Sequence, residues 1–308
     1  MDVVAELLAA ALRIATPLLF AALGGILSER AGVFAVGLEG MMLAGAFAGV
    51  IATHALGHAG LGLIASVVGG GLLSAVVAVV AVRCCADQMV TGLAVNILTL
   101  GLTSFLLRGL FGRGEAPIIR VTPLTSISIP VLADIPVVGP LLFRQPALTY
   151  AGLALVVMLF VALQRTQAGL TLRAVGENPT AAFASGANPI RVRFLAVIGA
   201  GALAGVGGAV LSLQQVGTFT DGMTNGRGYL ALAAIIVGRW SPVGALVGCL
   251  LFGSADALQL RIQGLRLPIS SYVIQMLPYV VSLAVLAGLG RGARLPAAIG
   301  TPFFREPR

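Results

Sequence analysis

Few residues in this chain have side chains suited to chemistry, and several of them interrupt apolar runs. Glu39 stands between Gly37 and Gly40, beside the apolar run 41–55. A carboxylate there either caps a half-helix by accepting backbone N–H groups or sits at a membrane interface as a solvated charge. Asn96 and Thr99 are three residues apart and share one helical face. That face suits hydrogen bonding to a polar solute or to a neighbouring helix. Asp256 and Gln259 lie about one turn apart with Arg261 nearby, a pattern for a gate, a contact with another protein, or an exposed polar helix end. Gln214, Gln215 and Gln275 are weaker candidates for lining a polar pathway. The chemistry on offer is recognition of a polar solute rather than making or breaking bonds. No Ser/His/Asp grouping is present, nor a carboxylate pair with a plausible base. His54 and His58 have i, i+4 spacing but fall in the short loop HALGHAG without a third ligand, so no metal is expected. GRGYLAL and GVGGAV are glycine-rich but follow no strand, which rejects a dinucleotide loop, and no cofactor is expected.

The elements that must carry these residues are membrane helices. The chain has 308 residues, 58% of them hydrophobic and 10% charged, with a mean hydropathy of +1.03. Soluble domains carry about 25% charged residues. Apolar runs occupy 7–27, 41–55, 60–82, 90–107, 149–163, 194–213, 229–237, 243–258 and 272–289. The expectation is an all-α polytopic transmembrane bundle of about 8–10 spans, forming one domain over residues 1–308. Three runs, 41–55, 149–163 and 229–237, are shorter than a full crossing. Short or interrupted apolar segments mark broken helices that line a cavity or are buried in protein. Small residues recur as Gly45/Gly49, Gly201/Gly205 and Gly244/Gly248, the spacing of close helix crossings. Gly207 and Gly208 lie near the middle of their run and would permit a bend.

Net charge is +8, and all 19 basic residues are arginine. The basic balance is read as membrane topology in contact with lipid, not as nucleic-acid binding. Without lysine the chain holds no P-loop lysine, so ATP-driven work would need another protein. Alternate crossing puts Arg30, Arg83, Arg165, Arg173, Arg191, Arg193, Arg239 and the tail 290–308 on one side, expected to be cytoplasmic. The loop 108–147 then lies outside, although it carries Arg108, Arg113, Arg120 and Arg144. Its stretch SISIPVLADIPVVGPLLF is apolar, but its prolines forbid a regular helix. Arg13, inside the first run, is expected to snorkel to an interface. Cys84, Cys85 and Cys249 have neither disulfide-framework nor zinc spacing. The start MDVVAELL lacks the basic region of a cleavable signal peptide.

The largest polar interruption is 164–193, QRTQAGLTLRAVGENPTAAFASGANPIRVR, with four arginines and the single acid Glu177. Asn178 and Pro179 make a helix start, because Asn caps free N–H groups and Pro fits the first turn. Thr180, Ala181, Ala182, Phe183, Ala184 and Ser185 can follow as a short helix that Gly186 ends. Such a helix, with a small-residue face and Phe183 to one side, fits a groove on another protein. An ordinary connecting loop is the plainer reading.

RAVGENP (173–179), Ala181, Ala182, Gly186 and GALAGVGGAVLSL (201–213) resemble the membrane subunit of ABC importers of the ribose/branched-chain-amino-acid permease superfamily. SERAGVFAVGLEGMMLAGAFAG (28–49), the run 223–263 and LPAAIGTPFFRE (295–306) resemble its simple-sugar/nucleoside branch. The likeness covers nearly the whole chain. It implies a permease of the bacterial inner membrane, with Glu177–Gly186 as the segment that couples to an ATPase. It also implies three partners: an ATPase with two fused nucleotide-binding halves, a second permease subunit, and an extracytoplasmic substrate-binding lipoprotein. Purine nucleosides are the implied solutes and simple sugars the close alternative. An ion-coupled secondary transporter is the competing class, for which Glu39 is the one respectable carboxylate.

Overall fold

A computed structural model describes residues 2–112, 121, 126–128, 144–264, 270–289 and 294–304. The described residues are mainly helical, with one pair of short antiparallel strands. Helix α1 runs Asp2–Arg30, α2 Leu38–Leu56, and α3 Ala59–Val77, which continues as a π-helical turn Ala78–Arg83. After α4, Gln88–Phe111, come β1, Ser126–Ser128, and β2, Arg144–Pro146. These pair antiparallel with Ser126 opposite Pro146, two short strands that the sequence reading missed. The prolines at 117, 123, 130, 136 and 140 lie outside the described residues.

Helix α5 follows at Ala147–Arg165, α6 at Gln167–Glu177 and α7 at Pro179–Ala184. Then comes α8, Pro189–Ala209, with a π-helical end Val210–Val216. The last four are α9 Arg227–Val237, α10 Pro242–Gly264, α11 Ser271–Gln275 and α12 Leu277–Leu289.

Seven described helices are long and apolar enough to cross a bilayer, and the apolar segments Arg227–Val237 and Val273–Gly288 are shorter. Two runs expected to be short are not. Residues 41–55 and 149–163 are the middles of the 19-residue helices α2 and α5. Their polar ends, Glu39 and Arg165, stop an apolar run without stopping a helix. Only α9, with 11 residues, stays short. The final run is broken between α11 and α12, with Pro278 in the first turn of the second piece, where its missing N–H costs nothing.

Helix α1 is central: 72% of its apolar window is buried, against 28% for α3. Helices α1, α2, α3 and α8 pack against one another, and glycine sets how closely. A Cβ on Gly45 would run into the backbone of Gly205, and one on Gly201 into Ser74 and Gly70. A Cβ on Gly49 would meet Ser66 Oγ, and one on Gly244 would meet the Gly238 carbonyl. Gly248 sits 3.1 Å from the Ala234 backbone by the same measure. Each expected GxxxG pair is therefore a site of close approach. Gly208 belongs with them, since its Cβ would strike the Met42 carbonyl. Gly207 and Gly208 thus serve contact rather than a bend; the helix departs from α geometry only from Val210 onward.

Pro17, inside α1, removes the backbone N–H that would pair with the Arg13 carbonyl. Gln215, in the π-helical end of α8, donates its Nε2 to that carbonyl at 2.7 Å. Arg13 Nε in turn donates to Gln145 Oε1 at 3.0 Å.

At one end of the bundle, the end of α1, the start of α8 and the α9–α10 turn converge with residues 294–304. Arg30 Nε donates to the Trp240 carbonyl at 2.9 Å, and the Trp240 indole N–H donates to the buried Glu29 at 2.5 Å. Arg83 stacks over Phe194 at 5.6 Å. Arg30, Arg83 and Arg193 lie at this end.

The glycine contacts make a direct test. Gly45→Leu should destabilise the detergent-solubilised protein by about 1–3 kcal/mol or more, the cost of overpacking. Gly71→Leu, with nothing within 4 Å of its Cβ position, should change little. Thermal unfolding of the two variants side by side checks this, and equal melting temperatures would count against the packing assignment.

Candidate functional site

Helix α9 begins abruptly after Gly226, whose φ of +78° is easy only for glycine. A helix start leaves several N–H groups unpaired, and within a membrane bundle each is costly unless a protein group accepts it. Glu39, at the start of α2, supplies the acceptors. Its Oε1 takes the Gly226 N–H at 2.8 Å and its Oε2 the Gly228 N–H at 2.6 Å. A carboxylate is the favoured group at the positive end of a helix dipole. Gly228 must lack a side chain here, because a Cβ would lie 2.5 Å from the Glu39 backbone.

Asn96 of α4 does the same for the start of α2. Its Oδ1 accepts the Gly40 N–H at 2.8 Å, and its Nδ2 donates to the Val36 carbonyl and to Tyr229 Oη, each at 2.9 Å. Thr99 donates to the Val95 carbonyl of its own helix at 2.7 Å. Of the pathway candidates, Glu39, Asn96 and Thr99 are thus brought together, but their polar groups are engaged by protein in this conformation.

Beside this junction opens a cavity of about 430 Å³. Asn225, Arg227 and Leu230 line it from the α9 side, and Asp256, Gln259 and Leu260 from α10. Gln275, Met276, Pro278 and Tyr279 close it from α11 and α12. Arg227 and Asp256 pair across it at 3.7 Å. Tyr279 Oη donates to the Asn225 carbonyl at 3.0 Å. The Nε of Arg227 is buried without a protein partner. Its volume lies within the ~300–1,000 Å³ usual for small-molecule sites. One cation and one anion offset each other, so the walls offer hydrogen bonds without net charge.

Among the residues expected to line a polar pathway, Gln275 lines this cavity. Gln214 lies elsewhere, in the π-helical end of α8, with both its amide atoms buried and unpartnered. Asp256 and Gln259, expected to form a gate, a contact with another protein or a polar helix end, line the cavity, and Asp256 faces Arg227.

At the arginine-rich end, α6 and α7 enclose a cleft of about 700 Å³. The short helix expected after Asn178 is α7, Pro179–Ala184; before it α6 occupies 167–177, an element the sequence reading lacked, with Glu177 as its last residue. The cap is as its residues dictate: Asn178 Oδ1 accepts the Ala181 N–H at 3.0 Å, and Gly186 ends the helix with φ +91°. Asn188 and Pro189 repeat the device at the start of α8, where Asn188 Oδ1 accepts the Arg191 N–H at 3.1 Å. Ala181, Ser185 and Gly186 face the cleft and are exposed, whereas Ala182 is buried against the chain itself. Phe183 packs on Phe303 with ring centroids 5.8 Å apart.

A family model described as branched-chain amino acid transport system, permease component, matches residues 7–290. The chain belongs to this permease family. The permease is 37% identical over 307 residues to the guanosine ABC transporter permease protein NupQ of Bacillus subtilis, covering 96% of this chain and 95% of that one. It is 36% identical over 303 residues to the nucleoside ABC transporter permease protein NupC of Lactococcus lactis, with 94% of each covered. A putative glucose ABC transporter permease protein of Haloferax volcanii, TsgC13, is 36% identical over 309 residues, covering 93% and 92%. No solved structure matches the chain. Family and apolar helices together make the permease a multi-pass protein of the bacterial inner membrane.

The permease's cavity residues Asn225, Arg227 and Tyr279 escaped the sequence reading. The available signal was NGRGY (225–229) immediately before the short run, since a glycine-flanked break in a membrane helix marks a cavity wall. If Glu39 holds α9, then Glu39→Ala should cost the permease about 1.5–3 kcal/mol, the worth of hydrogen bonds to a charged group. Glu39→Gln, which keeps one acceptor oxygen, should cost less. Melting temperatures in detergent decide it, and a Glu39→Ala protein as stable as wild type would remove the cap from the account.

Proposed function

We propose that this permease is one of two membrane subunits of an ABC importer that carries nucleosides, chiefly purine nucleosides. The observation that carries the reading is the full-length likeness to the guanosine and nucleoside permeases. The cavity agrees with an uncharged solute rich in hydroxyls and ring nitrogens. Its ion pair and amides can accept and donate, while Leu230, Leu260 and Met276 give apolar contact to a flat base.

In this reading residues 164–193 and the tail 290–308 face the cytoplasm, and 108–147 faces outward. An ATPase with two fused halves seats on the α6–α7 surface, with Glu177, Asn178, Pro179, Ala181, Phe183 and Gly186 at or near the contact. A second permease subunit completes the pathway, and an extracytoplasmic binding lipoprotein delivers solute. ATP-driven closure of the ATPase then rocks the bundle from outward- to inward-facing.

A simple-sugar permease is the second reading, favoured by the likeness to the Haloferax protein. Ion-coupled secondary transport is disfavoured by Glu39, whose two oxygens are taken by backbone N–H groups rather than left open to a proton or sodium ion.

Transport separates these readings. The complex purified with its companion subunits and reconstituted in liposomes should accumulate labelled guanosine or adenosine only with ATP. Accumulation of glucose or ribose without nucleoside would transfer the assignment to sugars. Uptake that persists when the ATPase partner cannot hydrolyse ATP would end the ABC reading.

Docking is tested on the exposed side of α7. Ser185→Arg or Ala181→Arg should leave the permease folded yet weaken recovery of the ATPase about tenfold or more, or about 1.4 kcal/mol. Ala182→Arg is uninformative here, because that side chain is buried within the permease. Undiminished recovery with both exposed variants would place the ATPase elsewhere.

A further inference from the structure

Residues 294–304 lie against the α6–α7 unit and are bonded to it and to the bundle. The Ala298 N–H donates to the Gly176 carbonyl at 2.9 Å, and the Ala297 N–H to Glu177 Oε2 at 3.3 Å. Phe303 packs on Phe183 of α7. On the other side the segment is held by Arg193, which is 2% exposed near the start of α8. Its Nη1 donates to the Thr301 carbonyl at 2.7 Å and its Nη2 to the Ala298 carbonyl at 3.3 Å. Its Nε donates to the Ala31 carbonyl at 3.2 Å, just past the end of α1. One planar guanidinium therefore joins α8, the α1–α2 connection and residues 294–304, a fork that a lysine ammonium cannot reproduce.

The connection it grips continues inward. A Cβ on Gly32 would lie 2.9 Å from Arg193 Nη2 and 3.1 Å from the Ala298 carbonyl, and Gly300 lies against the Phe34 ring. The Phe34 N–H donates to Gln88 of α4 at 2.9 Å. Val36 is bonded to Asn96, and Glu39 holds the start of α9 at the cavity. An unbroken series of hydrogen bonds and packing contacts thus leads from α7 through residues 294–304 and the α1–α2 connection to the cavity wall.

We propose that residues 294–304 and Arg193 are positioning elements of the transport cycle, conveying motion of α6–α7 to the α1–α2 connection and so to the cavity. The proposal rests on the ABC-importer reading above. It predicts a loss of coupling rather than a loss of docking, because Ala181 and Ser185 in the α6–α7 cleft stay exposed beside the segment.

The test compares wild type with a deletion of 294–308, with Phe303→Ala and with Arg193→Lys, each in the reconstituted complex with its binding protein. ATPase recovery should stay within about twofold of wild type, the scatter of independent sites. Solute moved per ATP hydrolysed should fall about fivefold or more, the lower end of measured couplings between sites. Phe303→Ala keeps the test open should the deletion fail to fold. A solute-to-ATP ratio within about twofold of wild type in Phe303→Ala and Arg193→Lys would overturn the proposal. So would loss of uptake that merely tracks loss of the ATPase, which would make the segment an assembly contact. Wild-type complex that shows no ATP-dependent uptake would instead defeat the importer reading on which the proposal stands.

Discussion

Inside hydrocarbon a backbone N–H or carbonyl has no water to turn to, and this permease is arranged around that constraint. Its helices are interrupted in three informative places, and a side chain from another element answers each. Pro17 frees the Arg13 carbonyl, and Gln215 takes it. The α1–α2 connection leaves Val36 and Gly40 exposed to apolar surroundings, and Asn96 bonds both. The start of α9 presents Gly226 and Gly228, and Glu39 bonds both. Polar residues that look costly in an apolar sequence are the groups that make broken helices tolerable.

Glycine does the complementary work. The α2–α8 and α3–α8 crossings bring backbones so near that a single Cβ on Gly45, Gly201, Gly205 or Gly208 would collide with a neighbouring helix. In lipid there is little hydrophobic drive between helices, so close packing has to supply the attraction. Such surfaces are also smooth, which suits elements that slide or rock. Larger apolar side chains are left for the periphery, where Ile97 and Phe105 of α4 are 73% and 72% exposed.

Much of this was legible in the sequence, and the rest failed for physical reasons. Apolar length found the spans, and Asn178–Pro179 with Gly186 found α7, because caps are local chemistry. Helix α6 was missed, since its apolar residues Leu170, Leu172 and Val175 are interrupted by Thr171 and Arg173 and make no apolar run; its start is marked by Thr166, whose hydroxyl accepts the Gly169 N–H at 3.1 Å. Runs 41–55 and 149–163 looked short because hydropathy ends at the first charge while a helix does not. Glu39 and Asn96 could be recognised as groups needing partners, but which partners they found depends on residues far along the chain, Gly226 and Tyr229 among them. Asp256 stands opposite Arg227 from the preceding helix, a pairing that separation along the chain hides. Arg193 read only as topology, because nothing local announces a guanidinium destined for carbonyls at 31, 298 and 301.

The position of the cavity follows from the shortness of α9. Eleven residues rise about 16 Å, roughly half of a ~30 Å hydrocarbon core. The far end of α9 runs into Trp240, which is tied to Arg30 and Glu29 at the arginine-rich end of the bundle. Its start must therefore lie about midway through the core. Asn96 gives an independent measure: it is eight residues along α4 from Gln88, about 12 Å, and Gln88 is bonded to Phe34 near that same end. Two helices counted separately put the Glu39–Asn96 junction near the same depth, with the Arg227–Asp256 cavity beside it. The cavity wall at that depth is shared by α9, α10, α11 and α12, so movement among these elements reshapes it. The part of its wall formed by a half-length helix is held at its start by one carboxylate rather than by a continuous helical ladder. That makes the start of α9 the place where a small displacement of the α1–α2 connection changes the cavity most.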